Sequence, residues 1–321
     1  YASGQTPQYK VEFRLQTRQG NWKWILSMGR FIEWDDTGQP TRLLGTHTDI
    51  SDRKLAEIQL SDQNELLARI AQDQPLQDVL NALIQHMERT FDGVICAVLS
   101  LDKSNCLHYE AAPNLPTAYS QATDGLLIGE GIGSCGTAVF RNQTVITADI
   151  ATDPLWADYK DVTLSYGLRA CWSSPITARG GEVLGTFAMY YKQVRSPQPH
   201  ELDIITQIAH IAGIALEREQ AKAQLRQSEA TLLKAQKVAH VGNWEFDIAN
   251  QVTTWSPEMF SIYGLDPSTG APSYPEYLQM LPPESRQLVQ KSIERAIQEG
   301  IAYKIEYSRI QDDGSVSYHE C

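Results

Sequence analysis

The sequence predicts an α+β chain in which antiparallel sheets carry flanking helices and long helices join the sheets. Three observations lead there. Two stretches near opposite ends repeat one alternating pattern around a glycine. The middle of the chain interleaves amphipathic helices with apolar strands in hairpin order, and charged helix-forming segments connect these parts.

Residues 9–24 read YKVEFRLQTRQGNWKW and residues 303–318 read YKIEYSRIQDDGSVSY. At one constant offset Tyr9 matches Tyr303, Lys10 matches Lys304, Glu12 matches Glu306 and Gly20 matches Gly314. Val11, Phe13 and Trp24 face Ile305, Tyr307 and Tyr318. Both copies alternate apolar and polar residues, turn at the glycine and alternate again, as a half-buried hairpin does. The first copy continues past the hairpin with a strand over Phe31–Trp34, a turn at Asp35–Gly38 and a return from Arg42 to Thr48. The second copy is preceded by a strand over 243–247 and its partner Val252–Trp255. A short helix comes next, capped by Ser256, with Pro257 at its first position and Gly264 at its end. Residues 284–299 then make an amphipathic helix with Val289, Ile293, Ala296 and Ile297 on one face. Each end therefore reads as part of one such unit, over 1–50 and 240–321, with open sheet edges. The start, Tyr1-Ala2-Ser3-Gly4, reads as a cut inside a longer chain.

The central domain is expected over 75–215. Its elements are a helix at Leu76–Met87, a buried strand at Val94–Leu99 and a partner at Cys106–Glu110. Ser134 caps a helix running to Arg141, and a strand begins at Val145-Ile146. Two strands, Leu168–Ile176 and Val183–Tyr191, join through Arg179-Gly180-Gly181, and a helix starts near Gln198. Two helices connect the domains. The first, 51–74, has Ser51 as N-cap and Asp52 at the positive end of its dipole. The second carries an apolar ladder from Ile204 through Ile211, Ile214, Ala221, Leu225, Leu232 and Ala235 to Ala239, interrupted by Gln207, Arg218 and Ser228. Over 216–239 that ladder predicts a coiled-coil seam pairing two copies; the alternative is an amphipathic helix packed on its own domain.

Composition narrows the function. The net charge is −12, from 39 acids and 27 bases, which argues against a nucleic-acid partner. No apolar run is long enough to span a bilayer. Five cysteines without a CxxC pair point to a reducing, cytoplasmic setting. The seven histidines lack metal-ligand spacing, so no metal is expected, and His210 reads as a packed helix position. There is no phosphate-binding glycine loop and no nucleophile–base constellation, so no catalytic site is expected in this segment.

Two resemblances extend this reading. Trp255-Ser256-Pro257-Glu258-Met259 through Tyr263-Gly264-Leu265-Asp266-Pro267 resembles the first-half signature of a PAS domain, and Asp49–Lys54 resembles its Asp-Ile-Thr exit motif. The segments 131–141, 147–159, 167–176 and 181–191 resemble a GAF domain over nearly the whole central stretch. The resemblance implies a PAS–GAF–PAS sensory segment of a bacterial signal-transduction protein, of sensor histidine kinase type in a two-component system. The alternatives are the sensor array of a cyclic-di-GMP cyclase or phosphodiesterase, and a non-sensing dimerisation scaffold. Bilin-binding GAF domains carry a Cys-His pair where this chain has Asp158 and Tyr159, which disfavours a covalent bilin. The cyclic-nucleotide set of Asn-Lys, Phe and Asp-Glu is missing. The PAS-like parts lack the flavin cysteine motif, and helix 284–299 has no histidine for haem. No cofactor is predicted; an unidentified small molecule in the GAF pocket stays open. The pocket candidates are Cys135, Trp156, Tyr159, Arg169 and Trp172, with ordinary core packing favoured over a ligand cavity for the last four. Cys135, beside a helix N-terminus, reads as a redox-sensing thiol or, the favoured reading, a small buried hydrophobe.

Overall fold

A computed structural model describes residues 9–310 and 314–321. The chain divides into two compact units, Tyr1–Ala221 and Lys222–Cys321.

In the first unit, β1 (Tyr9–Gln16), β2 (Trp22–Trp34) and β3 (Pro40–Asp49) form an antiparallel meander. Gly20 turns the first hairpin at φ +87°, a left-handed conformation that glycine adopts without a Cβ clash. Helix α1 (Ser51–Ala71) leaves the sheet with Asp52 in its first turn, as expected. Ser51 does not cap it. Its Oγ instead accepts the Trp24 N–H at 3.0 Å, while Asp49 Oδ1 takes the Ser51 N–H at 3.0 Å. The serine hydroxyl has been diverted to pin the helix start to the middle strand. At its far end α1 buries Leu66 and Ile70 in the same apolar cluster as α2 (Leu76–Thr90) and the first half of α6 (Pro199–Ala239).

The rest of this unit is a six-stranded antiparallel sheet in the order β6-β5-β4-β9-β8-β7. Its strands are β4 (Val94–Leu101), β5 (Cys106–Ala111), β6 (Leu126–Leu127), β7 (Val145–Thr147), β8 (Ala170–Thr177) and β9 (Val183–Tyr191). Helices α3 (Thr117–Thr123), α4 (Gly133–Arg141) and α5 (Lys160–Ser165) lie between them in the chain. The two-residue period of a strand sends neighbouring side chains to opposite faces. Cys96, Val98, Trp172, Phe187, Met189 and Tyr191 join the cluster of α1, α2 and α6. Ala97, Leu99, Cys171, Ala188 and Tyr190 face a second cluster with Tyr119, Val139 and Trp156. The sheet is thus apolar on both faces, with a separate core on each.

Two local expectations are corrected. Ser134 is not the cap of α4: it lies inside the helix, and its Oγ donates to Cys171 O at 3.0 Å and Thr147 Oγ1 at 3.1 Å. His210 is exposed. The buried face of α6 spans Ile205, Ile208, Ala209, Ile211, Ala212, Gly213, Ala215 and Leu216, and at about 100° per residue His210 falls opposite its centre. Gly213 lets this helix approach the sheet, since a Cβ there would lie 2.4 Å from Thr177 O.

The second unit contains the end of α6, the hairpin β10 (Trp244–Asp247) and β11 (Val252–Trp255), helices α7 (Pro257–Tyr263), α8 (Tyr274–Gln279) and α9 (Pro283–Glu299), and the hairpin β12 (Glu306–Ile310) and β13 (Val316–Glu320). Ser256 caps α7, accepting the Met259 N–H, and Gly264 ends it in the left-handed region, both as expected. The repeated hairpins pair in the same register: Gln16 opposes Trp22 as Ile310 opposes Val316, and Glu12 opposes Leu26 as Glu306 opposes Glu320. Gly314 takes φ +83°, as Gly20 does. Part of the second turn, 311–313, lies outside the described residues.

Candidate functional site

The second core of the central domain holds a small cavity. Leu99, Leu107 and Tyr190 rise from the sheet, Tyr119 and Thr123 come from α3, and Cys135 and Gly136 from α4. Trp156 and Tyr159 close it from the loop before α5. The open space is about 40 Å³ for the centre of a water-sized sphere. That exceeds the roughly 10–15 Å³ one water needs. No Asp, Glu, Lys or Arg belongs to the described lining.

Hydrogen bonds fix most of the polar groups on this wall. Trp156 Nε1 donates to Ser134 Oγ at 3.2 Å and Thr147 Oγ1 at 3.1 Å, which locks the indole plane. The diverted Ser134 hydroxyl is therefore part of the wall's support. Tyr109 OH and Thr123 Oγ1 are 3.0 Å apart. Cys135 Sγ lies 3.6 Å from Tyr190 OH. Cys171 opposes Tyr190 in the β8–β9 register, so all three groups meet on one face. Hydrogen bonding from the Cys171 thiol, then from Ser173 and Tyr190, pulls the Cys135 thiol below the ordinary range against the effect of burial. Burial pushes the Cys171 thiol and the Tyr190 phenol well up.

Of the five residues named from sequence, three meet here: Cys135, Trp156 and Tyr159. Trp172 does not. It is fully buried on the opposite face, with Nε1 donating to Arg195 O at 3.2 Å and the Arg195 guanidinium 5.3 Å from its ring centre. Arg169 does not line the cavity either; its Nη2 reaches both oxygens of Asp149, at 2.9 and 3.1 Å. Tyr109, Tyr119 and Tyr190 were missed. The signal that could have found Tyr190 is strand parity, because Cys171 and Tyr190 share a face that Trp172 and Tyr191 do not. Among the described residues, no group of three His, Cys, Asp or Glu side chains is placed to hold a metal.

Comparison with known proteins bears on both units. The GAF domain family model matches residues 75–216, and a PAS fold model matches residues 1–47 and 252–321. The methyl sulfide methyltransferase-associated sensor of Methanosarcina acetivorans is 35% identical over 222 residues, 69% of this chain. The match spans only 22% of that sensor's length. A domain from Sinorhizobium meliloti, described as belonging to a two-component sensor histidine kinase, is 18% identical, covering 48% of this chain and 99% of its own, with a TM-score of 0.41. The GAF domain of an Acinetobacter phosphoenolpyruvate-protein phosphotransferase is 14% identical, covering 52% and 98%, with a TM-score of 0.42. GAF and PAS-like folds are both present, the make-up of a sensory module in signal transduction. No helix among the described residues is long and apolar enough to cross a membrane.

Proposed function

We propose that this chain is the PAS–GAF–PAS sensory segment of a cytosolic multi-sensor histidine kinase, and that its connecting helices carry the signal. The domains would be a PAS-like part over 1–50, a connecting helix over 51–74, the GAF domain over 75–215, a signalling helix over 216–239 and a second PAS-like part over 240–321. The observation that carries the reading is the double attachment of α1. Its start is tied to the first sheet by Glu12 with Arg53 and Lys54, and by the Trp24 N–H donating to Ser51 Oγ. Its end is buried in the GAF core beside α6. A shift in either domain must therefore move a helix that both share, and bias which arrangement is populated. A ligand in the Cys135–Trp156–Tyr159 cavity would act on the opposite side of the same sheet that α6 packs on. The second half of α6 would pass the bias on as a paired helix in a homodimer.

A scaffold without a ligand is the second reading, favoured by the small size of the cavity. The test is made on the whole protein that carries this segment. ATP-dependent formation of acid-labile phosphohistidine, altered in rate by Glu12→Gln, supports the proposal. Conversion of GTP to a cyclic dinucleotide, or hydrolysis of one, sinks the kinase output. Unchanged output from both Glu12→Gln and Leu107→Phe, which enlarges a cavity-lining side chain, would favour the scaffold.

A further inference from the structure

Two of the five cysteines form a pair. Cys96 belongs to the core on the opposite face of the sheet. The Cys106 sulfur lies 3.9 Å from Ser104 O, and the Cys321 sulfur lies 3.8 Å from the Tyr303 hydroxyl in the second unit. Cys135 and Cys171 share the remaining core, and their thiols are hydrogen-bonded to each other. The Ser134 hydroxyl helps to bring them together. It donates to Cys171 O at 3.0 Å, so the first turn of α4 is tied to the residue whose thiol Cys135 meets. Cys171 is fully buried, whereas Cys135 is partly buried and lines the cavity with Tyr190. One thiol is therefore open to a small molecule, and the other stands behind it.

A wholly buried cysteine is inert, but an accessible thiol with a low pKa beside a second thiol is the arrangement of a redox pair. We propose that Cys135 and Cys171 are a peroxide-reactive pair that closes reversibly into a disulfide joining α4 to β8. The oxidant is hydrogen peroxide. It is uncharged, as suits a lining without Asp, Glu, Lys or Arg among the described residues, and small enough for a space scaled to water. First, the Cys135 thiolate attacks one peroxide oxygen and the O–O bond breaks. The departing hydroxide takes the proton that Cys135 gave up, leaving a sulfenic acid and one water. The Cys171 sulfur then attacks the Cys135 sulfur and the S–O bond breaks. The second hydroxide takes the Cys171 proton and leaves as water. Two thiols lose two electrons and two protons, and the peroxide becomes two waters. The order follows from the hydrogen bond between the thiols, which pulls Cys135 down and pushes Cys171 up, so Cys135 ionises first. Thiols already in contact need little backbone movement to bridge. This goes beyond the sensory reading and does not depend on it, because the bond is read directly and not through output.

The test treats the reduced 321-residue chain with hydrogen peroxide, then unfolds it in urea with N-ethylmaleimide to block the remaining thiols. Disulfides are located by peptide mass spectrometry without reduction. The expected result is the loss of two free thiols and a Cys135–Cys171 cross-link that dithiothreitol reverses. Cys171→Ala should stop at the sulfenic acid, which dimedone traps on Cys135. Cys135→Ala should leave Cys171 a thiol at the same dose of peroxide. The NMR signal of the Trp156 indole N–H shows whether each variant keeps this core, and the cross-link in the parent chain decides the matter even if one does not. The proposal is overturned if Cys135 and Cys171 both remain thiols, or if Cys135 pairs with Cys96, Cys106 or Cys321. It is equally overturned if the parent chain stops at the sulfenic acid. The same holds if the cross-link forms as fast in chain unfolded before the peroxide is added, where the fold no longer brings the thiols together.

Discussion

Arg53 Nη2 in α1 donates to Glu12 Oε1 in β1 at 2.6 Å, across 41 positions of chain. Lys54 Nζ reaches the other oxygen of Glu12 at 2.7 Å and lies 5.5 Å from the Trp24 ring centre. Hydrogen bonds from Lys54 and Arg53 hold the Glu12 carboxyl at about 2, below its ordinary 4.5. The stabilisation is therefore fully present above about 4.5 and is lost as pH falls through about 2. Protection of the amides in the first turn of α1, relative to intrinsic exchange at each pH, should fall across that window, and at high salt, since exposed pairs are screened. Glu12→Gln should raise exchange there at neutral pH and remove most of the salt effect. Unchanged exchange in the variant would mean that Ser51 and Trp24 alone hold the helix start.

The Cys135 thiol should be the reactive one on the cavity wall, since Cys171 is fully buried. Tyr190→Phe removes one hydrogen bond that pulls the thiol down. Alkylation of Cys135 by iodoacetamide at pH 8, located by mass spectrometry, should then slow, because less of the thiol is ionised. A faster rate would show that Tyr190 acts only as a steric cover.

His108 on β5 lies between two carboxylates, with Nδ1 3.1 Å from Asp124 and Nε2 3.4 Å from Asp102. The Asp124 hydrogen bond is the main cause that raises its pKa above 6.5. Its contribution to stability is then full below the unfolded value of 6.5 and is lost as pH rises through the folded value. The imidazole should titrate above 6.5 by NMR, and Asp124→Asn should bring the midpoint down. A midpoint that ignores this change would assign the shift elsewhere.

Leu225 and Leu232, seven residues apart on α6, are exposed at 61% and 59%. Earlier ladder positions are partly engaged in their own domain: Ile211 is buried and Arg218 pairs with Asp73. The seam left for a second copy therefore lies beyond Ala221. Burying a leucine contributes roughly 1.5–3 kcal/mol, so Leu225→Asp with Leu232→Asp should convert a dimer to monomer in sedimentation. A wild-type chain already monomeric at tens of micromolar, a level suited to weak association, would exclude the paired helix.

Trp172 and Trp156 show how far side-chain placement could be read. Both are buried aromatics in the central domain, yet only Trp156 reaches the cavity. Alternation separates Cys171 from Trp172, but a sheet apolar on both faces gives no sign of which side the long helices cover. Ser256 and Ser134 make the same point for caps. Ser256 precedes a proline and its Oγ accepts the Met259 N–H, so the local rule holds. Ser134 lies in the first turn of α4 and its hydroxyl faces β7 and β8, where the Cys171 carbonyl and the Thr147 hydroxyl take it from the helix end.

Local chemistry in the sequence determined the α+β class, the repeated hairpin with its glycine turn, the cap and stop of α7, and the long charged connecting helices. Those features depend on residues within a turn or two of one another. Tertiary structure alone decided which face of the sheet meets α1, α2 and α6, that Ser51 serves a strand and not its own helix, and that Tyr109, Tyr119 and Tyr190 join Cys135 at the cavity. Each of those outcomes depends on groups tens of positions apart, whose meeting is set by packing two cores against one sheet and not by the spacing of neighbours along the chain.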